Sequence, residues 1–372
     1  MPNILPTIPP FARAAVFEAV GRPLAICEFP IPELQPGEAL VQITCATICG
    51  SDLHSFTGRR PAPAPSVLGH EMIGRIAALG PGGLNTYDGR PLAAGDRVTW
   101  SMVWSCGECF YCRRQLRPKC EKLQKFGHEK ISDRRALFGA LAEYCHLPAG
   151  TAVFRVPDGL PDDVACPANC ATATVAAVFR NAGCCEGKSV VVHGAGMLGL
   201  TACAMAAESG AAAVICLEPD PRRRPLASRF GATTLLDNAQ PAEETRKQVF
   251  ALTHGRGADV AMDFAGYPEA LELGFHLLRE GGRFVVAGAT FPARPVQWPG
   301  ELLVKRLLQI VGVYNYEPED LGRALEFLAA AHLRYPFAEL VARSFPLADI
   351  NAAFDYAERQ RPPRVAVVPR EP

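Results

Sequence analysis

The pattern of apolar and polar positions changes in character near residue 165 of the chain. Before that point, short β-type apolar runs alternate with Pro and Gly, for example at residues 39–44 and at Arg97–Trp100. This alternation of short apolar runs with Pro and Gly is typical of irregular, barrel-like β structure. After about residue 308 the pattern is mixed again, and it ends in a strand-like run at Arg364–Val368.

Between these two regions, strand-length apolar runs alternate with helix-length runs. Ser189–His193 predicts a short buried strand, and a glycine turn and a small-residue helix follow it. The remaining predicted strands are at Ala213–Leu217, 259–264 and 283–287. The predicted helices run from Met197 to about Glu208, from the end of the Ala213–Leu217 strand to about Ala227, and over residues near 269–278. Strands that alternate with helices predict a doubly wound parallel sheet, so the fold class is α/β.

Length and charge limit the classes of protein to which the chain can belong. Its 372 residues favour two domains, and 38 basic and 38 acidic side chains give a formal net charge of zero. We therefore expect no long-range attraction to nucleic acid or to an anionic membrane. No apolar run approaches the ~20 residues of a membrane span, and residues 1–10 lack the pattern of a signal peptide.

Cysteine is abundant, with fourteen residues. Several of them are clustered at spacings that suit a metal ion better than disulfide bonds. Because no export signal precedes them, we expect reduced thiols and a cytoplasmic protein. Cys145, Cys166, Cys184 and Cys185 are interpreted as small, buried apolar residues.

A glycine-rich turn follows the strand at Ser189–His193. Gly194, Gly196 and Gly199 form G-x-G-x-x-G at the start of the next helix. The first glycine allows a tight turn, the second allows a pyrophosphate to approach the backbone, and the third allows close helix–strand packing. We expect His193, directly before the turn, to be a core histidine with satisfied hydrogen bonds.

The context of this turn predicts dinucleotide binding. Amides at the helix start, at Met197 and Leu198, would hold the phosphates. Glu218 ends the next strand about 20 residues on, where an acid can bind the ribose hydroxyls and repel a 2′-phosphate. That acid favours NAD over NADP, although Arg223 and its two neighbouring arginines leave NADP open.

Four cysteines fall within one 15-residue segment as C-x2-C-x2-C-x7-C, namely Cys106, Cys109, Cys112 and Cys120. Four thiolates in one loop match a closed, tetrahedral structural zinc site. An iron–sulfur cluster is the alternative that this segment alone leaves open.

Three further pieces lie far apart in sequence: C-G-S-D-L-H from Cys49, G-H-E around His70, and Cys170 before the dinucleotide region. Together with the cysteine lobe and the glycine turn, in this order, they resemble the zinc-containing medium-chain dehydrogenase/reductase superfamily over essentially the whole chain. The resemblance implies that Cys49, His70 and Cys170 bind a catalytic zinc ion, so that each subunit holds two zinc ions. It also implies a small-molecule alcohol or ketone substrate and a homodimer or homotetramer.

The same resemblance implies roles for the neighbouring residues. Asp52 orients the histidine ligand, and Ser51 and His54 relay the alcohol proton to solvent. Glu71 lies beside the metal, which it can bind transiently, and Thr174 contacts the nicotinamide. The implied fold is a GroES-like catalytic domain at residues 1–168, with the zinc lobe at 104–122, a Rossmann domain at 169–308, and a return to the catalytic domain at 309–372.

The substrate is predicted less sharply. Several stretches, among them CGSDLHSFTGRR from Cys49, resemble dehydrogenases associated with phosphonate catabolism, which implies a hydroxyalkylphosphonate-type alcohol. Arg59, Arg60 and Lys125 are candidates to bind its anionic group, but ordinary surface charge explains them equally well. A polyol, sugar or cyclic secondary alcohol stays open, as does a zinc-containing, inactive nucleotide-sensing relative. A second G-H-E at residues 127–129 is interpreted as a substrate-pocket or interface loop.

Overall fold

The structure is a computed structural model, and it describes residues 8–369. Its strands, in chain order, are β1 (Phe11–Phe17), β2 (Ala25–Pro30), β3 (Ala39–Ile48), β4 (Ser66–Val67), β5 (Glu71–Leu79), β6 (Arg97–Trp100), β7 (Val103–Trp104), β8 (Gln124–Lys125), β9 (Tyr144–Leu147), β10 (Val153–Arg155), β11 (Ser189–His193), β12 (Ala213–Leu217), β13 (Thr234–Leu236), β14 (Ala258–Asp263), β15 (Leu278–Val286), β16 (Gln309–Gly312), β17 (Val341–Pro346) and β18 (Arg364–Val368). Its helices are α1 (Gly50–Phe56), α2 (Asp162–Ala165), α3 (Ala171–Ala182), α4 (Met197–Glu208), α5 (Arg224–Arg229), α6 (Ala242–Leu252), α7 (Pro268–Leu277), α8 (Gly300–Lys305), α9 (Pro318–Ala331) and α10 (Ile350–Gln360).

Contacts divide the chain into two compact units. The first contains the chain up to Cys170, together with Glu317–His332 and the residues from Phe337 onward. The second contains Ala171–Tyr316 and Leu333–Pro336. None of the helices in residues 8–369 is long and apolar enough to cross a membrane.

The first unit is built from mainly antiparallel β-sheet, in which only β17 and β18 among the described strands pair in parallel. A seven-stranded sheet has the order β10-β6-β5-β3-β18-β17, with β9 also paired to β3, and β2-β1-β4 and β7-β8 form two smaller sheets. Strand β3 pairs with β5 and also with β18, so residues more than 300 positions apart in sequence, such as Ile48 and Val365, are paired in one sheet. Its core contains the fully buried rings of Trp100, Phe126 and Tyr144, each worth about 1.5–3 kcal/mol of burial free energy.

The second unit is a six-stranded parallel sheet in the order β13-β12-β11-β14-β15-β16. Its central strands are continuous apolar runs because both faces of a parallel sheet are buried. The strand order reverses direction between β11 and β14, which is the point where ligands bind in open α/β sheets. The predicted combination of a β-rich domain with a doubly wound parallel sheet is confirmed.

One predicted boundary in this sheet is wrong. The strand expected at residues 283–287 begins at Leu278, directly after α7. Leu278 pairs with Ala258 ahead of a register shift. The intervening residues Glu280, Gly281 and Gly282 resemble a turn in sequence, so the apolar pattern indicates only the second half of the strand.

Candidate functional site

The turn from β3 into α1 positions the first candidate metal ligand. Cys49 is the N-cap residue of α1, and its backbone N–H donates to Asp52 Oδ2 at 2.9 Å. Asp52 Oδ1 accepts the Gly69 N–H at 3.3 Å. One buried carboxylate thereby ties the Cys49 turn to the loop that carries His70.

His70 lies between β4 and β5 and is fully buried. Its Nδ1 is 3.1 Å from Asp52 Oδ1. A carboxylate partner at Nδ1 keeps the proton there and leaves the Nε2 lone pair for a metal ion. Burial alone would lower the pKa of His70, but the Asp52 carboxylate and the Cys49 sulfur together raise it to about 9.

Four potential ligands converge beside this ring. Ligand atoms of Cys49, His70, Glu71 and Cys170 all lie within 4.8 Å of one another. Tetrahedral zinc with bonds of about 2.0–2.3 Å places its ligand atoms about 3.3–3.8 Å apart, so the cluster fits one ion. The hydrogen bond from Cys170 lowers the pKa of Cys49 well below its ordinary value, and the nearby Arg364 acts in the same direction. Cys49 is therefore prepared to bind metal as a thiolate.

Glu71 already has a strong partner. Arg364 donates from Nε and Nη2 to the two carboxylate oxygens at 2.6 Å each, and Thr47 donates its hydroxyl to Oε2 at 2.6 Å. Arg364 Nη2 also lies 3.5 Å from Cys49 Sγ. Glu71 can thus reach the ion only by loosening this buried pair. Sequence reasoning missed Arg364, because nothing near the start of β18 indicates that it pairs with a residue in β5.

The two residues of the implied proton relay lie on α1. Ser51 Oγ is 3.3 Å from His70 Nε2, at the metal-facing side of the ring. His54 lies in the last turn of the same helix and is half-buried. Burial and the charges of Arg59 and Arg60 lower its pKa, so the ring is neutral near pH 7.

The four cysteines of the lobe form a second cluster. The sulfur atoms of Cys106, Cys109, Cys112 and Cys120 lie within 4.8 Å of one another. The backbone N–H groups of Cys106 and Lys122 each donate to Cys120 Sγ at 3.3 Å. Backbone donors at Cys112 and elsewhere lower the pKa of Cys109 to about 6. Four sulfur atoms at these distances fit a single shared metal ion better than an iron–sulfur cluster, which contains several iron atoms.

The second G-H-E packs against the first. Gly127 has a φ of 75°, and a Cβ built there would lie 2.3 Å from the Gly69 carbonyl oxygen. The ring of His128 lies 5.2 Å from the ring of His70, centroid to centroid. Arg60 Nη2 donates to His128 Nε2 at 2.9 Å. The loop at residues 127–129 therefore forms a wall beside the candidate metal centre.

In the second unit, the glycine turn has the geometry that a pyrophosphate requires. A Cβ at Gly199 would lie 1.7 Å from the Gly194 carbonyl oxygen, so helix α4 and the turn can pack only without side chains there. Gly196 is the N-cap of α4, and a Cβ there would meet no atom within 4 Å. Open space at the amide-rich start of a helix fits a dinucleotide phosphate. Thr174 lies on α3 and is half-buried.

Glu218 lies where the sequence predicts, at the end of β12, but both of its carboxylate oxygens have partners. The N–H of Ala195 donates to Oε2 at 2.7 Å, and that of Asp220 donates to Oε1 at 2.9 Å. The Glu218 carboxylate therefore stabilises the glycine turn through the hydrogen bond from Ala195. Of the three arginines that follow, Arg222 is paired with Asp220 and Arg224 with Asp237, while Arg223 is half-buried.

Two expectations about single residues are wrong. His193 is fully buried in the core, but neither ring nitrogen has a hydrogen-bond partner within residues 8–369. Burial lowers its pKa to about 4, so it stays neutral. Cys184 is exposed, whereas Cys145, Cys166 and Cys185 are buried as expected, because Cys184 lies in the loop before β11 and not in an apolar run.

Two family models match the chain. The alcohol dehydrogenase GroES-like domain matches residues 35–158, and the zinc-binding dehydrogenase domain matches residues 198–330. The first match covers most of the β-rich unit around Cys49 and His70. The second begins inside the glycine turn.

Individual proteins of known structure or activity are similar to the chain. The 5-exo-hydroxycamphor dehydrogenase of Pseudomonas putida is 32% identical over 350 residues, which are 93% of this chain and 95% of that protein. The L-threonine 3-dehydrogenase of Pyrococcus horikoshii is 33% identical over 295 residues, 77% of this chain and 78% of that one. An alcohol dehydrogenase structure from Thermotoga maritima has a TM-score of 0.91 at 32% identity and covers 97% of this chain and 100% of its own.

Proposed function

Since this chain belongs to the zinc-containing medium-chain alcohol dehydrogenases, we propose that it oxidises a small secondary or functionalised alcohol with NAD, using one catalytic and one structural zinc ion per subunit. The observation that carries this proposal is the convergence of Cys49, His70 and Cys170 from three distant segments onto one ion-sized space. Two thiolates and one imidazole leave a fourth position for substrate.

The two cofactors supply the chemistry that amino acids lack. Zinc supplies Lewis acidity toward the alcohol oxygen, and NAD supplies the hydride acceptor. Cys49 and Cys170 as thiolates neutralise the charge of the ion. Asp52 fixes the tautomer of His70 through the 3.1 Å contact at Nδ1.

The remaining residues handle protons and position the groups. Ser51 Oγ, next to His70 Nε2, accepts the proton that the alcohol hydroxyl loses. His54, neutral near pH 7, takes that proton onward to solvent. Glu71, held by Arg364, serves as the reserve ligand during exchange of water. In the second unit, Thr174 is the residue that we assign to the nicotinamide.

We assign NAD as the preferred dinucleotide. The buried carboxylate of Glu218 lies at the end of β12 and would repel a 2′-phosphate. The ion pairs of Arg222 and Arg224 occupy two of the three guanidinium groups that could bind such a phosphate. Amides of Gly196, Met197 and Leu198 bind the pyrophosphate.

For the substrate we favour a hydroxyalkylphosphonate or a related acidic alcohol. A polyol, a sugar or a cyclic secondary alcohol is the second candidate, and the 32% identity to a dehydrogenase of 5-exo-hydroxycamphor favours the cyclic alcohol among these. We further propose a homodimer or homotetramer in the cytoplasm, where the thiols of both clusters stay reduced.

The experiment that tests this function counts metal ions. Elemental analysis of protein purified without chelator should give two zinc ions per subunit, and Cys49→Ala and Cys106→Ala should each lose a different one. Cys49→Ala should abolish NAD reduction while dinucleotide binding persists, whereas Cys106→Ala should chiefly lower stability. A parent protein whose only zinc depends on Cys106, or a metal-depleted Cys49→Ala variant that stays active, would contradict the proposal.

A further inference from the structure

Three basic side chains gather beside the candidate catalytic metal centre, and the roles assigned above use none of them. Arg60 follows α1, Lys125 ends β8, and His128 lies in the loop that packs on Gly69. All three side chains are half-buried. They are therefore fixed by the protein on one side and open on the other.

The arrangement orients the Arg60 guanidinium. A guanidinium has only donors, so in the 2.9 Å contact His128 Nε2 accepts the hydrogen bond that Arg60 Nη2 donates. His128 is then neutral and carries its own proton on Nδ1. The planar fork of Arg60 keeps further N–H groups free of this contact, and such a fork matches the geometry of a carboxylate or phosphonate.

Neither cation has a carboxylate partner. Within residues 8–369, no acidic side chain forms an ion pair with Arg60 or Lys125. Glu129 is near, but its Oε1 accepts the backbone N–H of Lys125 at 2.9 Å. Asp52 is directed at His70 and at backbone amides. The backbone N–H of His128 donates to the Lys125 carbonyl oxygen at 3.0 Å, so Lys125 and the histidine that Arg60 contacts lie in one tight turn. In agreement with this geometry, burial and the charge of Arg60 lower the pKa of Lys125 to about 8.

The charge of the metal centre does not cancel these cations. A zinc ion bound by two thiolates and a neutral imidazole has no net charge, and Glu71 is neutralised by Arg364. The ring of His128, in the same turn as Lys125, nevertheless lies 5.2 Å from the ring of His70, centroid to centroid. An oxyanion that bound on the solvent-exposed side of Arg60 and Lys125 would form ion pairs with both cations close to the catalytic zinc ion.

The geometry points to an anion-binding subsite formed by Arg60 and Lys125, with His128 as the positioning residue, which selects alcohols that carry a carboxylate or phosphonate near the carbinol carbon. This inference rests on the proposed function, since it names the substrate class of the same site. Arg59, the exposed neighbour, is excluded from the subsite.

The test compares each acidic alcohol with a neutral partner of similar shape. One arm uses 3-hydroxybutanoate and 3-hydroxybutanamide, and the other uses 2-hydroxypropylphosphonate and its dimethyl ester. We expect kcat/KM to favour the acid over its neutral partner in at least one arm, and the preferred arm distinguishes carboxylate from phosphonate. Because a hydrogen bond to a charged group is worth a factor of about 10 to 100, Arg60→Met and Lys125→Met should each lower this preference by about tenfold or more. The control Arg59→Met should keep it.

A second readout does not depend on turnover. Calorimetry should detect methylphosphonate or acetate binding to the zinc-loaded parent and to Arg59→Met, and about tenfold weaker binding to Lys125→Met. Zinc content and circular dichroism identify a variant that has failed to fold, and Arg60→Lys then replaces Arg60→Met. Equal kcat/KM for acid and amide in the parent, unchanged by either substitution, would overturn the subsite and leave the dehydrogenase intact. Failure of every alcohol to reduce NAD would instead refute the proposed function, while the calorimetry still decides the subsite.

Discussion

Gly127→Ala tests the packing of one G-H-E loop on the other. The new Cβ would lie 2.3 Å from the Gly69 carbonyl oxygen and 2.7 Å from the Gly69 carbonyl carbon. Ordinary carbon contacts begin near 3.5 Å, so the backbone at Gly69 must move by about 1 Å. His70 is the next residue, and a metal site tolerates displacements of only about 0.2 Å.

The loss of stability expected for Gly127→Ala is the sum of two free-energy costs. Placing alanine at a φ of 75° costs about 1–2 kcal/mol, and overpacking against backbone costs about 1–3 kcal/mol more. Gly82→Ala is the matched control, since Gly82 has a φ of 82° and a Cβ there would meet no atom within 4 Å. The control should therefore show only the first cost.

The assay combines urea unfolding at fixed zinc concentration with elemental analysis. Gly127→Ala should unfold at clearly lower urea than Gly82→Ala and should retain one zinc ion per subunit, in the lobe, while Gly82→Ala retains two. Unfolding midpoints are compared because a metalloprotein of two units need not unfold in one step. If Gly127→Ala matched Gly82→Ala in both midpoint and zinc content, the two loops would not be in the contact described.

Three further predictions concern buried charges. Arg364→Met leaves Glu71 buried without its partner and should lower the free energy of unfolding by about 3–5 kcal/mol. Chemical denaturation measures this loss, and adding Glu71→Gln to the Arg364→Met variant should restore part of it. Burial raises the pKa of Asp263 to about 6, so its stabilising contribution is complete below about pH 4 and is lost as the pH rises through 6. Relative to the parent, Asp263→Asn should therefore gain about 2.4 kcal/mol of unfolding free energy between pH 4 and 7, and a difference that is flat with pH would contradict this. Glu218→Gln removes the carboxylate at the end of β12 and should raise the ratio of kcat/KM with NADP to that with NAD by about tenfold, measured by steady-state kinetics, whereas an unchanged ratio would assign the NAD preference elsewhere.

The sequence predicted best what is local. The glycine turn, the parallel strands around it and the four-cysteine lobe each lie within a short segment, so spacing alone indicates them. Strand β6 and strand β11 begin and end at the predicted residues.

Contacts between segments that are distant in sequence could not be predicted from local spacing. Nothing in the local pattern at Arg364 indicates a partner in β5, and nothing in the second G-H-E indicates that it packs on the first. Likewise, an apolar strand places His193 in the core but does not reveal that its two nitrogens lack partners. Such features depend on the three-dimensional register, for which a single sequence holds no signal.

The pairing of Glu71 with Arg364 also sets an order of events while the protein is being synthesised. The two residues are 293 positions apart, which at about 5–20 residues per second takes a ribosome roughly 15–60 s. The cysteine lobe spans only 14 positions from Cys106 to Cys120, and is complete about 1–3 s after its first cysteine. A nascent chain can therefore complete the four-cysteine lobe early, whereas Glu71 beside the other candidate metal site lacks its Arg364 partner, and β3 has an unpaired edge at residues 46–48, until β18 emerges.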